Sequence, residues 1–113
     1  MTRREFTIKI SQLILIMVQE GERPIYDFML RSAEEQKRLF DKGLSKCDGT
    51  EKISNHQKGI AADIYLVNDD GSVNYEWDKE KAIYWHKSWE KMRGKPMIVF
   101  SDGTLDKPHF EGG

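Results

Sequence analysis

The sequence predicts a small single α+β domain, and three observations predict it. Its 113 residues, 38% hydrophobic and 33% charged, suffice for one modest core. Three stretches lie between helix cap and stop signals, and two of them carry apolar residues at helical spacing. Between and after them lie short runs of β-forming residues bounded by Asp-Gly, Gly and Pro. No linker, repeat or low-complexity tract divides the chain. Residues 1–113 are therefore expected to form one domain, an antiparallel or mixed sheet flanked by about three helices.

The elements follow in order. Thr2 and Glu5 have capping-box spacing, Phe6, Ile10, Leu13, Ile14 and Met17 share a face, and Gly21 is a stop, which predicts a helix over 3–20. The run "PIYDFML" reads as a strand. Ser32 and Glu35 repeat the capping pattern and open a second helix that ends at Gly43, and residues 43–55 read as loop. "IAADIYLV" and "SVNYEW" flank "NDDG", a hairpin signal. Asp78 caps a third helix with Ala82, Trp85, Trp89 and Met92 on one face and Gly94 at its end. "PMIVF" reads as a strand, "SDGT" as a turn and "PHFE" as a last strand.

The totals exclude several classes. Eighteen basic against 19 acidic residues leave a net charge of −1, so no global field gathers nucleic acid or anionic membrane. The uninterrupted apolar run Leu13–Val18 is too short for a membrane span or the core of a signal peptide. The lone Cys47 permits no intramolecular disulfide and reads as a loop thiol.

Asp63 poses the chemical question. It interrupts the apolar strand "IAADIYLV", where an unpaired charge costs several kcal/mol. Strand alternation puts Ala61, Asp63, Tyr65 and Val67 on one face and Ala62, Ile64 and Leu66 on the other. A turn at Gly59 would fold the chain back and bring His56 to Asp63. A divalent metal would neutralise Asp63 and give His56 a role. For a third ligand, His109 in "DKPHF" is the better candidate, with Asp106 three residues before it. His86 is the rival, but beside the Trp85/Trp89 face a histidine is more often a packing residue. Arg31, taken alone, reads as a surface partner of Glu34 or Glu35.

Ser54-Asn55-His56-Gln57-Lys58-Gly59-Ile60-Ala61-Ala62-Asp63, with Asp106-Lys107-Pro108-His109-Phe110, resembles the signature of the M15 zinc peptidases. That family includes D-alanyl-D-alanine carboxypeptidases and dipeptidases, and phage endolysins that cut the L-alanyl-D-glutamate bond. "LRSAEEQKRLFDKGLSK" resembles the family's upstream R-S-x-x-x-Q…L…G-x-S segment, so the likeness runs from Phe28 to Glu111. It implies a hedgehog/D,D-peptidase-like fold and one Zn2+ per chain held by His56, Asp63 and His109. It also implies Asp106 as general base, Arg31 as the group that holds substrate or steadies the developing oxyanion, and Ser54 as a hydrogen-bonding partner of the substrate or the ligand shell. Three protein ligands leave a fourth position for water, as a catalytic zinc requires.

The function expected from this resemblance is hydrolysis of a stem-peptide amide in bacterial peptidoglycan. An endolysin-type L-alanyl-D-glutamate endopeptidase comes first, and a D,D- or L,D-carboxypeptidase trimming stem peptides second. A non-catalytic zinc-bearing wall-binding module, as the related hedgehog domains suggest, is the reading from another class. A mononuclear iron oxygenase would also use two histidines and a carboxylate, but its common His-x-Asp spacing is absent. The expected partner is the peptidoglycan stem peptide, with neither nucleic acid nor membrane insertion, and the chain is expected to act as a monomer. In the endolysin reading it is made in the bacterial cytoplasm without a signal peptide and needs a pore protein to reach the wall. Two features depart from the family. Many relatives place a tryptophan shortly before the Asp of D-x-x-H, where this chain has "SDGTLD", and the chain is short, so pocket wall and specificity loops are expected to differ.

Overall fold

The structure, a computed structural model, describes residues 1–28, 33–43 and 55–113. Helix α1 runs Arg3–Gln19. Thr2 caps it by accepting the Glu5 amide at 3.1 Å. Its C-terminus closes through Gly21 at φ +92°, with the Glu22 amide on the Met17 carbonyl and the Gly21 amide on Val18. Phe6, Ile10, Leu13 and Met17 are buried along one stripe, as their spacing predicts.

Strand β2, Ala61–Val67, is the centre of a four-stranded sheet in which every pairing is antiparallel. Strand β1, Pro24–Phe28, lies along one edge of β2, with a shift in register between Tyr26 and Phe28. Strands β3, Val73–Asn74, and β4, His109–Glu111, share the opposite edge in series, β3 against Leu66 and Val67 and β4 against Ala61, Ala62 and Asp63. Where the two meet, the Ile64 amide bonds the Pro108 carbonyl at 2.8 Å. Helix α2 spans Ala33–Asp41 and ends at Gly43, α3 is a single turn at Asn55–Lys58, and α4 runs Lys79–Lys91. Asp78 caps α4 by accepting the Lys81 amide.

The core lies on one face of the sheet. Ala62, Ile64 and Leu66 of β2 and Phe110 of β4 meet the apolar stripe of α1 and Trp77, Ala82, Trp85 and Trp89. Each of the three tryptophan N–H groups has an acceptor: Trp77 on the Ile64 carbonyl, Trp89 on the Glu111 carbonyl, and Trp85 on Glu22. Among the described residues no helix is long and apolar enough to cross a membrane.

Three expectations are corrected. "PMIVF" forms no strand, only an isolated bridge between Val99 and Leu105. Lys95 begins to pair with β4, its amide on the Glu111 carbonyl, and Pro96, which has no N–H, stops the ladder. Of "SVNYEW" only Val73–Asn74 is strand, because the Asn74 side chain accepts the Glu76 amide and turns the chain toward buried Trp77. The loop expected over 43–55 gives way at its end to α3, which closes on Gly59 at φ +76°. Ser32, Cys47 and the end of "PIYDFML" lie outside the described residues.

Candidate metal centre

The sheet face opposite the core carries the chemistry. On β2, Ala61, Asp63, Tyr65 and Val67 point away from the face that holds Ala62, Ile64 and Leu66. Asp63 pairs with His109 of β4, so the two side chains are cross-strand neighbours. His56 arrives from α3 through the positive-φ turn at Gly59, as the spacing predicts. Asp63 therefore has two histidine partners in the folded chain.

Three atoms meet there. His56 Nε2 and Asp63 Oδ1 are 3.2 Å apart, His109 Nδ1 and Asp63 Oδ1 are 3.2 Å apart, and the two ring nitrogens are 3.1 Å apart. Four-coordinate zinc with bonds of about 2.0–2.1 Å requires donor atoms about 3.3 Å from one another. The triangle matches that edge, and each of the three residues offers one ligand atom to the group. Two imidazoles and a carboxylate suit a borderline divalent ion, zinc or ferrous iron before calcium or magnesium. The residues present thus fit a metal.

Burial acts to raise Asp63, but hydrogen bonds from His109 and His56 and their charge outweigh it and hold the carboxyl well below the usual range. His109 is pushed up to about 9, because bonds to Asp63 and Glu111 overcome the burial that would lower it. Asp106 moves opposite to Asp63. Burial raises its carboxyl, with His109 pulling it down and Asp63 pushing it up. Its amide is fixed on the Ile98 carbonyl at 2.9 Å, so the half-buried side chain is held by an anchored backbone. Tyr65 is raised by burial and then by Asp63, Asp27 and Asp106, and its ring meets that of Tyr75 edge-on at 5.1 Å.

His86 is not with the other histidines. It lies 2% exposed on α4, stacked on Phe110 at 4.0 Å and 5°, with Nε2–H donated to the Lys107 carbonyl at 2.8 Å. It packs behind β4, in keeping with its apolar surroundings in sequence. Arg31 and Ser54 lie outside the described residues. Reasoning from the sequence missed Glu111, whose Oε1 lies 3.5 Å from His109 Nε2. The signal was present in "HFE", where positions 109 and 111 of a strand share a face.

No protein-family model matches the sequence, and no curated protein matches it. Solved structures do show a likeness. The fold is similar to that of the LdcB LD-carboxypeptidase. The superposition has a TM-score of 0.69 at 16% identity and covers 96% of this chain. That structure is described as revealing the molecular basis of peptidoglycan recognition, and this chain spans 64% of its length. At such identity the likeness establishes the fold, a small α+β domain with helices on an open antiparallel sheet. The α+β expectation from sequence is met.

Proposed function

We propose that the chain is a zinc-dependent peptidase that hydrolyses an amide of the peptidoglycan stem peptide, an L-alanyl-D-glutamate bond before any other. The observation that carries this reading is the triangle of His56 Nε2, Asp63 Oδ1 and His109 Nδ1, on a fold similar to that of an LD-carboxypeptidase. Zinc, when bound, supplies Lewis acidity that polarises the scissile carbonyl and makes water nucleophilic near neutral pH. His56, Asp63 and His109 would hold it, three protein ligands being the number typical of a catalytic zinc. Asp106 takes the proton of the attacking water and returns it to the leaving amine. Burial favours that role, because a raised carboxyl is a stronger proton acceptor than an exposed one. Arg31 and Ser54 are proposed to hold the substrate, Arg31 against the charge that develops on the carbonyl oxygen.

A second reading is favoured by the likeness to LdcB: removal of a terminal D-amino acid as a carboxypeptidase. One experiment separates the two. Purified peptidoglycan of two chemotypes is digested with the zinc-loaded protein and with Asp106→Ala, and soluble products are identified by mass spectrometry. New amino termini on D-glutamate establish the endopeptidase, and free D-alanine the carboxypeptidase. Asp106→Ala should keep its zinc and lose turnover by a factor of about 10²–10⁴. Wild-type turnover in that variant removes Asp106 from the mechanism. Zinc bound with no product from either wall sinks the peptidase reading.

A further inference from the structure

Glu111 sits where a side chain can control the metal site without touching the metal. It is paired with Ala61 across the β2–β4 ladder, two residues from His109 and on the same face. Ala61 is fully buried and ends at Cβ, so Glu111 is the larger side chain of this cross-strand pair. The two Glu111 oxygens face different ways. Oε1 lies 3.5 Å from His109 Nε2, and Oε2 lies 4.0 Å from Lys95 Nζ. The Glu111 carbonyl accepts the Lys95 amide at 3.0 Å and the Trp89 indole N–H at 2.8 Å, which fixes the backbone beneath the side chain. The Glu111 side chain itself is only 12% exposed.

An imidazole has two nitrogens, and the one that ligates a metal must present a lone pair. In His109, Nδ1 belongs to the triangle with His56 and Asp63, while Nε2 faces Glu111. A carboxylate next to Nε2 favours the proton there. The tautomer with Nε2–H leaves Nδ1 free to ligate, and it also increases the electron density at Nδ1. Lys95 balances the charge of Glu111, which would otherwise be costly at this depth.

We propose that Glu111, backed by Lys95, is a positioning residue of the metal centre: it holds His109 in the Nε2–H tautomer and in the ring orientation that presents Nδ1 to the metal. The inference rests on the metal reading above and adds to it a residue outside the ligand set. Carboxylates in this relation to a metal-bound histidine are typically worth about 10–100-fold in metal affinity.

The test is zinc competition with a chromophoric chelator on the full chain, with circular dichroism of each variant to confirm the fold. Glu111→Ala should bind zinc about 10–100-fold more weakly than wild type. Glu111→Gln, which keeps an acceptor oxygen in the same shape, should recover most of the loss. A merely structural role would not move the second readout, the ¹⁵N-detected tautomer of His109 in the zinc-loaded protein. Its Nε2–H is expected in wild type and Glu111→Gln, and rapid exchange of that proton in Glu111→Ala. Equal affinity in wild type and Glu111→Ala overturns the inference and leaves the metal site standing. Wild type that binds no zinc removes both. If Glu111→Ala does not fold, Glu111→Thr, too short to reach His109 but well suited to a strand, takes its place in both readouts, and wild-type zinc affinity there overturns the proposal.

Discussion

Asp63 and His86 are both polar groups in apolar company, and the chain treats them differently. Asp63 stays ionised because two histidines converge on its Oδ1. His86 stays neutral: burial lowers it to about 4, against the raising effect of its bond to the Lys107 carbonyl, and its Nδ1 has no hydrogen-bond partner among the described residues. Its consequence for stability has a definite sign. Between the unfolded value of 6.5 and the folded value of about 4, the unfolded chain binds more protons than the folded one. The contribution of His86 is therefore fully present above pH 6.5 and is lost as pH falls toward 4. The loss amounts to about 3 kcal/mol by linkage. His86→Phe keeps a ring on Phe110 and removes the titration. Urea unfolding between pH 7 and 4 should show a shallower fall in the variant than in wild type, and parallel curves would refute this account. At pH 7 the variant should lie about 1–3 kcal/mol below wild type, for the unpaired Lys107 carbonyl.

At the scale of elements, the chain leaving α4 runs close against the helix's own Trp89. A Cβ on Gly94 would lie 2.0 Å from Trp89 Nε1 and 2.2 Å from its Cε2. Trp89 is fully buried and its N–H holds the Glu111 carbonyl, so it has little room to yield. Gly94→Ala should cost about 1–3 kcal/mol as an overpacked core, read as a lower urea midpoint with an unchanged slope. An unchanged midpoint would show that the ring moves freely. The elements also show what the sequence could and could not reveal. The stripe of α1, the Asp-Gly hairpin after β2 and the Gly59 turn rest on local chemistry, and all three appear where the residues place them. The return of His56 to Asp63 was legible because a positive-φ glycine and seven residues leave few other paths. "PMIVF" was misread because its fate depends on pairing, and pairing on that side ends at Pro96. Glu111 was overlooked because its role exists only once β4 lies beside Ala61.

At the scale of the whole molecule, the candidate metal ties distant parts of the chain together. His56 and His109 are 53 residues apart in sequence and 3.1 Å apart in the fold. A ligand that binds only the folded arrangement stabilises it by mass action, about 2.7 kcal/mol at a hundredfold excess over Kd. Thermal unfolding followed at rising zinc should therefore climb in wild type. His56→Ala, Asp63→Ala and His109→Ala should each flatten that climb, because a preformed site lacking one ligand binds the ion far less well. The same rise in all three variants would overturn the ligand assignment.

The alternation along β4 has a further consequence. Phe110 points into the core while His109 and Glu111, on either side of it, point to the other face. A slip of one residue along β2 would turn all three over at once. It would expose a phenylalanine, whose burial is worth about 1.5–3 kcal/mol, and force a histidine and a carboxylate into the space it left. Misaligned chains are thereby rejected by the core itself. The fold proofreads the aim of the histidine, and selection for a well-packed interior protects the chemistry without having to see it.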